Sequence, residues 1–396
     1  MKEFSFIVSL LLTAVSTAQI SMDTNYAGAN VIIDSVAVDT VYFRPDLRTT
    51  QGKWFYWNFR AVSNVAKKWY FKANDDNILT SLGASFSTDG GNSWQWINQD
   101  DNLGPNLFSY TFEGDDATVR LSIGQPYTEK NFKRYIESYK NDDRLKLSVL
   151  TTTRKGREVE RMTISDFSIE PRYKILITSR HHACEMMSNY MVEGIVGSLL
   201  SDDPKMVSLL KNAEITIIPF VDKDGVEEGD QGKNRWPRDH NRDYSGTSIY
   251  ESTSAIRELK EDWIKDDTWI AIDLHNPWIL GKGAERIYFV GKEPPAFEKQ
   301  QKKLAQILSN SYQGELSFNS ENNFLAWGES WNTNSNNTKG WSFGTWSKSF
   351  FKKGLILGTT VEFPYALNGD QVVTAQNARE FGRDLIYALK LYIDQQ

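Results

Sequence analysis

The chain has 396 residues, of which 40% are hydrophobic and 24% are charged, the composition of a folded globular protein. Its formal net charge is −6 and no basic block stands out, so it lacks the clustered positive face that nucleic-acid binding requires. Cys184 is the only cysteine, which excludes an internal disulfide. The length suits two domains.

The first element in the chain is a predicted signal peptide over residues 1–18. A lysine precedes the apolar run Phe4–Val15, and the small residues Ser16 and Ala18 fit a cleavage site before Gln19. A buried N-terminal strand or helix is the alternative. The run is shorter than the about 20 residues that a membrane-spanning helix needs. We therefore expect an exported protein, periplasmic or secreted, with no membrane attachment after cleavage.

Residues 19–170 are predicted to form an antiparallel β-sandwich. Alternating stretches such as WFYWNFRAV, KWYFKAN and ATVRLSIG indicate short strands, and Asn, Asp and Gly turns separate them. Only EKNFKRYIESYK has a helical pattern in this half. Aromatic residues make up 13% of the chain, and those in this half are expected mainly in the sandwich core. Some of them are candidates for a glycan or peptide platform.

Residues 171–396 are predicted to form an α/β domain with a mixed, largely parallel sheet flanked by helices. The expected strands are YKILITS, EITIIPFV, TWIAIDLH, RIYFVG and GLILGTTVEF, and the expected helices lie near 185–200, 254–265, 296–312 and 375–393. In such sheets, functional sites gather at the carboxyl ends of the strands.

Polar residues occur where these strands stop. They are His182 and Glu185 after YKILITS, Asn241 and Arg242 in the loop after EITIIPFV, His275 at the end of TWIAIDLH, and Glu362 at the end of GTTVEF. Two histidines and a carboxylate form a catalytic zinc set that leaves one position open. A second carboxylate can act as a general base, and an arginine suits a planar carboxylate. Each of these motifs alone has a simpler structural explanation. An HxxE triplet, for example, is more often the solvated start of a helix.

The order of the motifs is more specific than any one of them. The segments RHHACE, IIPFVDKDGVEEGDQGKNRWPRDHNRDY, IAIDLH and TTVEFPY together resemble the zinc metallocarboxypeptidase family, in particular its cytosolic-carboxypeptidase-like branch. The segments GKWFYWNFRAVSN, FSTDGGNSWQW and GQPYTEKNF are similar to the β-sandwich that precedes the catalytic domain in that branch. The resemblance covers nearly all of the chain after the predicted signal peptide.

The resemblance implies a role for each residue of the set. The zinc ligands, for one Zn²⁺ per chain, are His182, Glu185 and His275; the residues that bind the substrate's terminal carboxylate are Asn241 and Arg242; the general base is Glu362; and the residue that stabilises the oxyanion is Arg235, with Arg238 as second candidate. One departure concerns a tyrosine that closes over the substrate in many relatives. Here the corresponding segment has no tyrosine and offers Trp341 and Trp346.

These observations predict an exported zinc-dependent metallocarboxypeptidase that hydrolyses C-terminal peptide bonds. Its expected partners are the C-termini of peptides or proteins, with peptidoglycan stem peptides as a possible class. One alternative is a zinc amidase or deacylase that acts on acyl amino acids or peptidoglycan peptides. The other is a catalytically silent relative that binds peptides or glycans.

Overall fold

The computed structural model describes residues 19–396, so the predicted signal peptide lies outside the described residues. Within the described part, no helix is long and apolar enough to cross a membrane. The strands of the N-terminal part are β1 Ile20–Asp23, β2 Ile32–Ala37, β3 Thr40–Arg44, β4 Asn58–Ser63, β5 Lys67–Ala73, β6 Ser85–Ser87, β7 Gln95–Trp96, β8 Asn102–Gly104, β9 Leu107–Phe112 and β10 Ala117–Ser122.

These strands form two five-stranded sheets, in the orders β1-β4-β10-β6-β7 and β2-β3-β5-β9-β8. All pairs are antiparallel except β3 with β5. Buried aromatic side chains from the two sheets pack against each other; for example, the rings of Phe59 and Phe71 are 6.0 Å apart. The predicted sandwich is therefore confirmed for this part of the chain, and its core is aromatic as expected.

The second part contains a mixed eight-stranded sheet. Its strands are β11 Leu145–Thr152, β12 Glu158–Ile164, β13 Tyr173–Ser179, β14 Ala213–Ile218, β15 Thr268–His275, β16 Tyr288–Val290, β17 Phe324–Leu325 and β18 Leu355–Glu362; a separate hairpin comprises β19 Leu367–Asn368 and β20 Gln371–Val372. The order is β11-β12-β14-β13-β15-β18-β16-β17, with parallel pairing through β14, β13, β15 and β18. Every residue of β13 is buried, as expected for a central parallel strand.

The α-helices are α1 Glu129–Ile136, α2 Met187–Leu199, α3 Pro204–Leu210, α4 Lys223–Glu228, α5 Glu251–Leu259, α6 Pro295–Ser311, α7 Phe343–Lys348 and α8 Ala375–Ile393. Four of them, α2, α5, α6 and α8, correspond to the four helices predicted for the second half. A π-helical turn, Lys260–Ile264, follows α5. The predicted α/β fold with a mixed, largely parallel sheet is confirmed.

The sheet boundary differs from the predicted domain boundary at residue 170. Strands β11 and β12 fall in the predicted sandwich region, but β12 pairs antiparallel with β14, with Met162 opposite Ile217. Both strands thus extend the eight-stranded sheet, and the chain passes from the sandwich to this sheet between β10 and β11. The sequence alone could not assign them, because an alternating antiparallel strand has the same pattern in either sheet.

Candidate active site

The predicted site residues other than Arg235 meet at one edge of the eight-stranded sheet. Strand β13 ends at Ser179, shortly before His182, while β15 ends at His275 and β18 at Glu362. In the β15–β18 register, His275 is the direct neighbour of Glu362. Because β13, β15 and β18 are parallel, their carboxyl ends lie at the same edge, and the side chains that follow them converge there.

The turn that carries His182 is held by Arg180. This arginine is 2% exposed and has a left-handed backbone, with φ of 60°. Its guanidinium donates hydrogen bonds to the carbonyl of Ala183 (3.0 Å), the carbonyl of Tyr127 (2.9 Å) and Oδ1 of Asn189 (2.8 Å). A buried guanidinium with several acceptors fixes the backbone around it. The turn between β13 and α2 is therefore set before any ligand binds.

His182, Glu185 and His275 form a compact donor group. Their candidate ligand atoms all lie within 4.8 Å of one another. The Glu185 carboxylate is fully buried between the two rings, with Oε1 2.9 Å from Nδ1 of His182 and Oε2 2.6 Å from Nδ1 of His275. Two imidazoles and one carboxylate are a donor set that suits zinc, and both Nδ1 atoms face the carboxylate. The three residues therefore fit a zinc ion.

Carboxylates lie at the other nitrogen of each ring. Nε2 of His275 is 2.7 Å from Oδ2 of Asp273, and Nε2 of His182 is 3.8 Å from Oδ1 of Asp239. Burial acts to raise the pKa of Asp273, but His181 and His275 lower it well below its ordinary value. Such outer carboxylates orient metal-binding imidazoles. No role was predicted for Asp239, although it stands two residues before Asn241 in the quoted motif.

His181 is part of a second possible metal group, with Asp273 and His275. Both of its ring nitrogens already have partners, since Nδ1 is 2.8 Å from Oδ1 of Asp273 and Nε2 is 2.7 Å from the hydroxyl of Tyr244. His182 and His275 line the cleft described below, whereas His181 is fully buried behind them. The group with Glu185 is therefore the better candidate.

The site opens into a cleft of about 380 Å³ that is lined by His182, His275, Asn241, Arg242 and Glu362. Glu362 is 6% exposed, and its Oε2 atom has no hydrogen-bond partner among the described residues. Burial raises the pKa of this carboxyl group, and the nearby charge of Glu185 adds to the increase. A carboxylate with a raised pKa and a free oxygen in a cleft has the properties of a general base.

Asn241 and Arg242 lie on the same cleft and are held in place. The side chain of Asn241 is 3.1 Å from Nε2 of His275 and accepts a hydrogen bond from the backbone of Phe343 at 2.9 Å. Arg242 donates to the carbonyl of Asn241 (2.6 Å) and to Oδ1 of Asn336 (2.5 Å). The guanidinium is thus positioned at the cleft wall by two neutral acceptors, which leave its charge available to an anionic group.

The structure does not bring Arg235 to the cleft. Its guanidinium donates to Asp222 at 2.9 Å and to Asp230 at 3.0 Å, and it is 9% exposed. The second candidate, Arg238, donates to Asp243 at 2.7 Å. These aspartates bind the two arginines because a buried carboxylate needs a charged partner.

Lys233, two residues before Arg235 in the same loop, lies at the cleft where Arg235 does not. It lines the cleft, and its Nζ atom lies 2.6 Å from Oε1 of Glu185. The neighbouring Gly232, with φ of +77°, lets the loop approach the turn after β13, since a Cβ atom there would lie 2.2 Å from the backbone nitrogen of Ala183. The sequence analysis names only arginines in this loop and does not predict that Lys233 lies at the cleft.

The cleft lining also contains basic and aromatic residues. Lys292 lines it, and burial lowers the pKa of this lysine to about 8, with Lys348 and Arg242 adding to the decrease. Trp331 and Tyr288 also line it. The two tryptophans expected in place of a lid tyrosine lie elsewhere: Trp346 is buried in the protein core, and Trp341 is 43% exposed outside the lining of the cleft.

Comparison with known proteins finds carboxypeptidases among the similar sequences and structures. The zinc carboxypeptidase family model matches residues 132–266. Cytosolic carboxypeptidase 2 of Danio rerio is 26% identical over 235 residues, which are 51% of this chain and 32% of that protein. Cytosolic carboxypeptidase 6 of Caenorhabditis elegans is 25% identical over 270 residues, 59% of this chain and 57% of that protein. The matched part of the chain thus spans about a third of the first relative and somewhat more than half of the second.

Two solved structures share the fold over almost the whole chain. A metallo-carboxypeptidase from Burkholderia cenocepacia has a TM-score of 0.76 at 16% identity and covers 96% of this chain and 100% of its own. A metallo-carboxypeptidase from Pseudomonas aeruginosa has a TM-score of 0.74 at 17% identity and covers 95% of this chain and 99% of its own. The resemblance to zinc carboxypeptidases is confirmed, and so is the fold, including its N-terminal β-domain.

Proposed function

We propose that this chain is a zinc-dependent carboxypeptidase that removes the C-terminal residue of peptides or proteins and holds one zinc ion per chain. The observation that supports the proposal most strongly is the buried group of His182, Glu185 and His275, with Glu362 beside His275 on the same cleft. A bound zinc ion supplies a Lewis acid that polarises the scissile carbonyl and lowers the pKa of a water molecule.

Glu362 is the proposed general base. Its carboxylate takes a proton from the attacking water as the new C–O bond forms at the carbonyl carbon. The same carboxyl group then gives the proton to the departing nitrogen as the C–N bond breaks, so that protons balance over the reaction. The unpartnered Oε2 atom of Glu362 supports this role, because it has no competing hydrogen bond in the described residues.

Lys233, instead of Arg235, is the proposed stabiliser of the negative charge that develops on the carbonyl oxygen. Its ammonium group lies on the cleft next to Glu185, whereas Arg235 is committed to Asp222 and Asp230. A fixed positive charge near the reacting carbon acts in a site with little water, where electrostatic interactions are strong.

Arg242 is the proposed partner of the substrate's terminal carboxylate, with Asn241 beside it. Lys292 lies on the same wall, and the lowered pKa of this lysine reflects a buried ammonium group among other cations. A negatively charged side chain would relieve that repulsion. The proposal therefore includes a preference for peptides that end in glutamate or aspartate.

Amidation of the substrate C-terminus tests the exopeptidase proposal. Free and amidated forms of one peptide are compared for kcat/KM with the zinc-loaded protein. Loss of the carboxylate should cost about 2–5 kcal/mol of transition-state binding, the range for removing one member of a buried charge pair. Equal cleavage of both forms would contradict the role of Arg242 and favour the amidase alternative.

Export through the N-terminal segment is a further part of the proposal. Its support is the sequence of residues 1–18, with a basic start, an apolar run and small residues before the expected cleavage site. Export can be tested by determining the N-terminal residue of the protein after purification from the cells that produce it. A start at Gln19 supports export, and an intact Met1 in cytoplasmic protein would contradict it.

A further inference from the structure

One wall of the cleft comes from the N-terminal β-domain. Trp54, in the segment between β3 and β4, lines the cleft together with Trp278, which follows His275 by three residues. The two rings are 5.3 Å apart at 63°, an edge-to-face arrangement. Nζ of Lys233 lies 5.6 Å from the centre of the Trp54 ring. This aromatic pair is therefore next to the proposed reaction centre.

The position of Trp54 is fixed by hydrogen bonds across the two domains. The backbone nitrogen of Gln51 donates to the carbonyl of Asn234 at 3.1 Å. On the other side of Trp54, the backbone of Tyr56 and the side chain of Gln231 exchange two hydrogen bonds, of 2.7 and 2.8 Å. Hydrogen bonds on both sides of Trp54 thus attach this segment to the loop that carries Lys233. The segment therefore has a fixed position beside the site.

The rings remain available to a ligand because other aromatics support them from behind. Phe55 is fully buried and contacts Trp278 at 5.0 Å and Tyr365 at 5.4 Å between ring centres. Trp54 and Trp278 are only partly buried. Large aromatic faces that are rigid and exposed to a cleft bind apolar side chains at a low cost in conformational entropy.

We propose that Trp54 and Trp278 form a subsite for the side chain that precedes the cleaved bond, and that this subsite takes a large apolar or aromatic residue. The inference rests on the proposed function. If Arg242 and Lys292 bind the C-terminal residue, the rest of the peptide leaves the reaction centre along the other wall, where Lys233 adjoins Trp54. The β-domain then contributes directly to substrate selection.

The chemistry of the wall favours an apolar occupant over an acidic one. Lys233 supplies a positive charge there, but its ammonium group is paired with Glu185 at 2.6 Å. Beside the lysine, this part of the lining contains the two indole rings, Pro277 and the uncharged Asn234. A preference for aspartate before the cleaved bond would mean that Lys233 selects the substrate instead of the tryptophans.

The test uses peptides with one fixed C-terminal glutamate and Ala, Leu, Phe or Asp in the preceding position. The zinc-loaded full chain should cleave the Phe peptide with a kcat/KM at least about tenfold above the Ala peptide, as expected for an apolar pocket. Trp54→Ala should reduce this ratio to near one, while Trp54→Phe, which keeps a ring, should retain part of it. The ratio does not depend on the amount of folded protein, because both peptides are measured on the same sample.

Trp236→Ala is the matched control. Trp236 lies in the same interdomain region, is 66% exposed and is outside the lining of the cleft. Its substitution should leave the Phe-to-Ala ratio unchanged. A wild-type ratio near one, a preference for Asp, or an unchanged ratio in Trp54→Ala would overturn the subsite while the carboxypeptidase proposal stands. If no peptide is cleaved at all, the proposed function is rejected and the subsite with it.

Discussion

Replacing Glu362 by Gln separates a catalytic from a structural role for this residue. The substitution keeps the shape of the side chain and removes its basicity. Oε2 of Glu362 makes no hydrogen bond among the described residues, so Gln loses no contact at that atom. The side chain is also outside the group of His182, Glu185 and His275, so zinc content should not change.

The expected effect on turnover is large. General acid–base assistance is worth about 10²–10⁴-fold, which is about 2.7–5.4 kcal/mol at 1.36 kcal/mol per tenfold. We therefore expect kcat for a glutamate-ended peptide to fall at least about 100-fold, with KM and the midpoint of thermal unfolding near the wild-type values.

The assay compares Glu362→Gln with Glu321→Gln, a matched change at an exposed glutamate. Steady-state kinetics is measured on samples whose zinc content has been determined by elemental analysis. The control should keep wild-type turnover. Near-normal kcat in Glu362→Gln at full zinc occupancy would refute the reasoning, because the carboxylate would then be a structural strand-end group and the amidase or binding alternatives would return.

Three further predictions concern the metal and the cleft cations. His275→Ala should lose most of the zinc, which elemental analysis measures, and full retention there and in His182→Ala would contradict the ligand assignment. Lys233→Met should lower kcat by about 10²-fold and Lys233→Arg should recover part of it, whereas an unchanged kcat in Lys233→Met would exclude the proposed charge stabilisation. Lys292→Met should reduce the kcat/KM preference for glutamate over alanine at the C-terminus, and an unchanged preference would show that Lys292 does not select the substrate.

The candidate metal ligands could be predicted because their placement depends on local signals. His182 and Glu185 are three residues apart at the start of a helix, and His275 and Glu362 end buried apolar strands. In a parallel sheet the carboxyl ends of adjacent strands lie side by side. His275 and Glu362 are therefore paired in the register of β15 and β18. The structure thus brings together the residues that the sequence pattern had selected.

Which basic residue lies next to Glu185 could not be predicted from the sequence in the same way. The loop offers Lys233, Arg235 and Arg238 within six residues, and their types alone do not show which one faces the cleft. That choice depends on carboxylates from other parts of the chain. Asp222 and Asp230 bind Arg235, and the close approach of Gly232 to the turn after β13 directs Lys233 toward Glu185.

The extent of each domain depends on pairing that the sequence does not encode locally. Strands β11 and β12 continue the β-rich pattern of the first half, yet β12 covers the edge of β14 in the sheet that carries the site. An uncovered edge would present unpaired backbone groups to solvent. Conversely, Trp54 belongs to the β-domain and lines the cleft. The two domains are therefore interdependent at the site: residues before 171 complete the catalytic sheet and also supply part of the wall on which the substrate is proposed to lie.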